Sequence, residues 1–159
     1  MQRRHGSSNV IAPVLLINSM PRLKIDLPAT YHFTTEIPIR ITDINYGGHL
    51  ANDAVLSILH EARLRMLVQH GWTEMNIEGV SIIMSDSAIV YKSEGFYGES
   101  LRIQIAVKDF SRFGCDFYYL VRERESGREI VQAKTGIVFY NYEGRKLAGV
   151  PEKFIQQFR

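Results

Sequence analysis

RITDINYGGHLANDAVLSILHEARLR, Arg40 to Arg65, is the stretch that decides the fold. It leaves an alternating segment, crosses a turn crowded with Asp43, Asn45, Gly47, Gly48 and His49, and enters the one long helix that the sequence predicts. Asn52 or Asp53 can cap that helix by accepting hydrogen bonds from its free amides. Val55, Ile58, Leu59, Ala62 and Met66 then recur at spacings of three and four. Leu56, Leu64, Leu67 and Val68 widen the apolar surface beyond one stripe, so the helix is expected to be enclosed on several sides. Glu61 and Arg65 stand four apart in the favourable order, and Gly71 after His70 is a natural stop. With a rise of about 1.5 Å per residue, such a helix is roughly 27 Å long, enough to cross a domain. The turn before it is a place for chemistry. Glycines let a ligand approach the backbone, and the first helical amides have no intrahelical acceptor.

Working outward, Tyr31 to Ile41 alternates, with Phe33, Thr35, Ile37, Ile39 and Ile41 on one face and His32, Thr34, Glu36, Pro38 and Arg40 on the other. That period of two is a half-buried strand, and Pro38 marks an edge or a bulge because it has no amide hydrogen. After the helix, strands are expected at Ile82–Lys92, Leu101–Phe110, Cys115–Arg124 and Glu129–Tyr140. The separators are short and contain glycine, which suits a four-strand antiparallel meander. Pro151 stands at a favourable first helical position for a short helix ending near Phe158. One strand, a long helix and four more strands make an α+β fold, an antiparallel sheet wrapped around the helix. A sheet with open edges and one covering helix is expected to find a second copy.

At 159 residues the chain has the size of one domain, and 45% hydrophobic with 23% charged residues is ordinary globular composition. A net charge of +2 gives no footprint for nucleic acid. Cys115 is the only cysteine, so there is neither an intrachain disulfide nor a cysteine metal cluster, and a reducing cytoplasm is expected. Residues 1–28, with Arg3, Arg4, His5 and an apolar run broken by Pro13, read as a loosely ordered extension; residues 29–159 read as the domain. Met20 opens a plausible shorter chain. No later stretch is apolar for long enough to span a bilayer.

On these residues the chain resembles the hotdog-fold acyl-CoA thioesterases, in the branch of 4-hydroxybenzoyl-CoA thioesterase. That branch reads D-x-D-x-x-G-H-V-N-N, then a helix with E-x-A-R. Asp43, Asn45, Gly48, His49, Leu50, Ala51 and Asn52 match the first element, and Leu56 with Glu61-Ala62-Arg63 the second. The likeness continues through Tyr91–Gly98, Arg112–Gly114 and Phe139, so it covers roughly Tyr31 to Lys153. It implies a five- to six-stranded antiparallel sheet around one central helix. The implied activity is hydrolysis of an acyl thioester of coenzyme A or acyl carrier protein, in a homodimer or dimer of dimers. No metal or other cofactor is implied, and coenzyme A enters only as part of the substrate.

One departure is chemical. The branch usually places its catalytic carboxylate at the second acid of D-x-D, and here that position is Asn45, which cannot act as a carboxylate base or nucleophile. Asp43 and Glu61 are the alternative acids, although Asp43 could instead shape the turn and Glu61 could pair with Arg65. His49 could act as base or bind the carbonyl. The resemblance implies an oxyanion donor among the backbone amides near Asn52, with Gly48 and Leu50 beside it. Arg102, Lys108 and Arg112 are candidates for the coenzyme A phosphates. The remaining histidines have no metal-ligand spacing, and Cys115 and the Phe117–Tyr119 aromatics read as sheet core. Asn45 also supports a second reading, a hotdog module that binds an acyl thioester or serves as a scaffold without hydrolysing it.

Overall fold

Six strands and two helices account for most of residues 22–159, which are the residues described by the computed structural model of the protein. Of the expected N-terminal extension, residues 1–21 lie outside the described residues, as does Met20, and residues 22–28 run without helix or strand. The strands are β1 (Phe33–Pro38), β2 (Ser81–Tyr91), β3 (Ser100–Lys108), β4 (Gly114–Glu123), β5 (Glu129–Asn141) and β6 (Lys146–Leu147). The helices are α1 (Asn52–Gln69) and α2 (Glu152–Phe158).

Side-chain alternation builds the sheet's inner face. In β3, Leu101, Ile103, Ile105 and Val107 are buried, while Arg102 and Lys108 are exposed. In β4, Phe117, Tyr119 and Val121 point inward, and in β5, Val131, Ala133, Ile137 and Phe139 do the same. Against this face α1 lays Val55, Ile58, Leu59, Ala62, Met66 and Leu67. The expected enclosure of α1 on several sides holds for one face only in this chain, since Val68 is 67% exposed and Leu56 lies at the surface.

The strands run β1-β3-β4-β5-β2, all antiparallel, with β6 added to the end of β5. Only β3-β4-β5 is a meander. The expected hairpin between β2 and β3 does not form; residues 92–99 instead carry the chain from one edge of the sheet back to β1. Three inter-strand gaps amount to about 14 Å, well within the reach of eight extended residues, about 26 Å. Length alone therefore fits either connection. The choice falls to β1, which takes β3 as partner and sets Glu36 against Arg102.

Strand β1 is shorter than its alternation. Pro38 ends the ladder, and Ile41–Asp43 tightens into a 3-10 turn that leaves Ile41 outside the core. Gly71, at φ +74°, follows α1 as expected. Helix α2 closes the far end of the core. Its Phe154 and Phe158 are buried among Trp72, Phe117, Phe139 and His70, with ring centroids 4.9–6.5 Å apart. Pro151 precedes this helix as its N-cap rather than as its first residue.

Candidate active site

The 43–51 loop is closed by its own backbone. Asn45 donates to the carbonyl of His49 at 3.0 Å, Gly48 donates to Asn45 at 3.0 Å, and Ala51 donates to Asp43 at 2.8 Å. Asp43 shapes the turn. Its buried carboxylate accepts from the Arg40 amide at 2.9 Å and from the Arg40 guanidinium at 3.0 and 3.1 Å. Burial pushes this carboxyl up, but the Arg40 hydrogen bonds outweigh it and hold Asp43 below its ordinary value. Asn45 spends its side-chain oxygen on the turn as well, accepting from the Gly47 amide at 2.9 Å. Gly48, at φ +82°, occupies the left-handed region that a side chain disfavours.

These contacts present His49. Gly47 leaves room for its ring, because a Cβ at residue 47 would lie 2.6 Å from His49 Nε2. That Nε2 sits 3.5 Å from a Glu94 carboxylate oxygen. Glu94 belongs to the link between β2 and β3, and Leu50 ties the two segments together by donating to the Gly95 carbonyl at 2.7 Å.

Helix α1 starts without a side-chain cap. Ala51 is the N-cap residue, so neither Asn52 nor Asp53 caps the helix, and Asn52 is its first helical residue. The leading amides of α1 are therefore left to solvent or ligand, at the end where the helix dipole favours negative charge. The Tyr91 hydroxyl donates to the Asn52 carbonyl at 3.1 Å and straps β2 to this end of the helix. Between them lies a cavity of about 330 Å³ lined by Asn45, His49, Leu50, Asn52, Tyr91, Lys92, Ser93 and Glu94.

Asn45, His49, Leu50 and Asn52 thus come together, with Gly48 in the loop that carries them. Asp43 lies beneath, committed to Arg40. Glu61 is one helical face away, paired with Arg65 at 2.8 Å in a separate groove with Arg40 and Ile37. The three cations expected for phosphates do not form one patch. Arg102 pairs with Glu36 at 3.1 Å near the start of β3, whereas Lys108 and Arg112 stand at its other end, about 20 Å or more along the strand. Arg112 lies over the Phe113 ring, 4.9 Å from its centroid. The cation that lines the loop cavity is Lys92.

A second cavity, about 350 Å³, lies farther along α1 against β2 and β5, with Leu56, Ser57, His60, Arg63, Glu74, Met84 and Thr135 in its wall. Arg63 is buried there, bonded to Glu74 at 2.7 and 2.8 Å and to the Tyr119 hydroxyl at 3.4 Å; Tyr119 in turn meets Thr135 at 3.2 Å. His60 lies 2.9 Å from the other Glu74 oxygen. Burial pushes the Glu74 carboxyl up, and hydrogen bonds from His60 and Arg63 bring it below its usual value, so it is a carboxylate inside an ion-paired network. Sequence reading passed over Glu94, His60 and Glu74, because each acquires its partner only when distant segments meet, and Lys92, whose place in the cavity wall depends on the same meeting. Among the described residues no three His, Cys, Asp or Glu side chains gather as a metal site. The Cys115 thiol is buried and pushed up by that burial, so it stays protonated.

A family model, the thioesterase-like superfamily, matches residues 39–158, which include the loop, both helices and strands β2 to β6. The chain belongs to the thioesterase-like superfamily. Solved structures agree on the fold. A 1,4-dihydroxy-2-naphthoyl-CoA thioesterase from Synechocystis superposes with a TM-score of 0.73 at 20% identity, over 79% of this chain and 94% of that one. A Staphylococcus aureus protein solved in complex with CoA gives 0.71 at 17% identity, over 79% and 80%. A 12:0-ACP thioesterase from Umbellularia californica gives 0.65 at 16% identity; 79% of this chain covers 51% of that larger one. Comparison with curated proteins returns no match. This member of the thioesterase-like superfamily thus has the hotdog fold, with its sheet curved around α1.

Proposed function

We propose that this protein hydrolyses an acyl thioester of coenzyme A in the cavity between the 43–51 loop, the start of α1 and the end of β2. The observation that carries the reading is that the His49 imidazole and the uncapped start of α1 line one cavity. Hydrolysis needs a base for water and donors for the oxyanion. With Nε2 turned to Glu94, Nδ1 of His49 is the atom free to take a proton from water. The water oxygen then attacks the thioester carbonyl, and its charge develops toward the amides of the first α1 turn. Collapse breaks the C–S bond, and the proton held by His49 passes to the departing thiolate, giving a carboxylic acid and free coenzyme A.

The reaction requires no metal, and coenzyme A enters only as part of the substrate. Lys92 in the cavity wall offers a cation to a phosphate, and a relative solved with CoA supports this substrate class. The second cavity, a separate space farther along α1 between the helix and β2, offers room for an acyl group. The protein would act in the cytoplasm, where the Cys115 thiol stays reduced; cell fractionation checks that location.

A second reading follows from Asn45. Because residue 45 carries no acid and its oxygen is spent on the turn, the fold could bind an acyl thioester without cleaving it. Free-thiol release from a panel of short, long and aromatic acyl-CoAs, with matching acyl carrier proteins, separates the two. Turnover on acyl-CoA is expected; turnover confined to acyl carrier protein would move the substrate class, and binding without turnover would establish the second reading.

A further inference from the structure

We propose that Glu94 is the carboxylate of this site, positioning His49 and stabilising its cation in place of the acid that residue 45 lacks. The inference rests on the thioesterase reading above. Of the other nearby acids, Asp43 is held by Arg40, Glu61 by Arg65 and Glu99 by Arg128 at 2.6 Å, while Asp53, exposed on the first turn of α1, does not line the cavity. Among the described residues, Glu94 alone brings a carboxylate to the cavity wall, and His49 is its ion-pair partner there.

The backbone on either side of Glu94 is clamped independently of that pair. The Ser93 hydroxyl donates to the Glu129 carbonyl, Arg128 donates to the Glu94 carbonyl, and the Gly95 carbonyl accepts from Leu50 at 2.7 Å. Gly95 is buried, and a Cβ there would lie 2.9 Å from Ile39 Cδ1 and 3.4 Å from Leu50 Cβ, so the segment is packed directly against the loop and the residues leading into it. A carboxylate delivered by a fixed segment can orient an imidazole without contributing much to folding. The 3.5 Å separation is an ion-pair distance that a small rotation of either side chain closes to a hydrogen bond. In the reaction Glu94 exchanges no proton. It accepts the Nε2 hydrogen throughout, which keeps Nδ1 as the base and offsets the charge on the imidazolium once Nδ1 has taken the proton from water.

The test is steady-state thiol release on the best acyl-CoA by the wild type, Glu94→Gln, Glu94→Asp, His49→Ala and the Glu94→Gln/His49→Ala double variant, with melting temperature measured for each. We expect Glu94→Gln to lower kcat by about 10–100-fold with KM changed less than about threefold, as for the loss of a transition-state interaction. Glu94→Asp should recover part of that loss. The double variant should be no slower than His49→Ala, because residues acting as one unit are not additive. Melting temperatures should stay together, since an exposed pair adds little to stability. A Glu94→Gln enzyme with wild-type kcat, or losses that multiply in the double variant, overturns the role of Glu94 and leaves the hydrolase standing. A wild type that releases no thiol overturns both.

Discussion

At residue 47 the backbone does not require glycine, since its φ lies outside the left-handed region; the site does. A Cβ there would meet His49 Nε2 at 2.6 Å and Cε1 at 2.8 Å, and Asn45 Oδ1 at 3.2 Å. The imidazole is the end of a side chain that can swing aside, so the fold should tolerate Gly47→Ala while the base leaves its place. We expect Gly47→Ala to reduce kcat by about tenfold or more with melting temperature lowered by less than about 4 °C. Steady-state kinetics and a thermal scan on the same preparation check this. Residue identity was informative where chemistry is local. The polar turn was legible, and so were the structural alternatives for Asp43 and Glu61, because each of these acids meets a cation within four residues. Glu94 and the Glu74–Arg63–Tyr119 network were not, since their partners stand 11 to 56 positions away and no spacing rule links them.

At the scale of elements, periodicity placed α1 and four strands close to their observed limits. What it could not say was which strand pairs with which. Alternation reports that a strand has an inner and an outer face, and nothing about its lateral neighbour. The β2–β3 link was therefore mistaken for a hairpin. The cap of α1 failed for a different reason: Asn52 and Asp53 are capable caps, but the backbone of Ala51 turns the chain first. Helix α2 carries a pH prediction. His70 and His32 both pack edge-on against Phe158. Burial lowers the pKa of each, and Lys108 lowers His32 further. For a histidine whose folded pKa lies below its unfolded value, the stabilisation is complete above that unfolded value, about 6.5, and is lost as pH falls through it toward the folded pKa. Asp43 and Glu74, both held below their ordinary values, contribute only at lower pH. Melting temperature should therefore drop by about 2–4 °C between pH 7.5 and 5.5. The drop should shrink in His70→Gln, and an equal drop in that variant would remove His70 from the account.

For the whole molecule, the sheet ends in β2, an eleven-residue strand whose outer edge has no partner among the described residues. Met84 and Tyr91 lie exposed along it, 46% and 52%. Such an edge is a template for pairing, and β2 also forms one wall of both cavities. A homodimer joined through β2 would satisfy the edge and complete those walls. Light scattering after size exclusion should give a mass of about 36 kDa, or a multiple of it for a dimer of dimers, from a chain of 18.2 kDa; a monomer at micromolar concentration would contradict this. The central claim is that a thioester is cleaved in the loop cavity with His49 as base. It is tested most directly by thiol release from the preferred acyl-CoA, measuring His49→Ala beside the wild type and Glu61→Gln with acyl-CoA affinity determined for all three. The account predicts that His49→Ala loses about 100-fold or more in kcat while still binding substrate, and that Glu61→Gln stays close to wild type. An unchanged kcat in His49→Ala, or a collapse found only in Glu61→Gln, would contradict it.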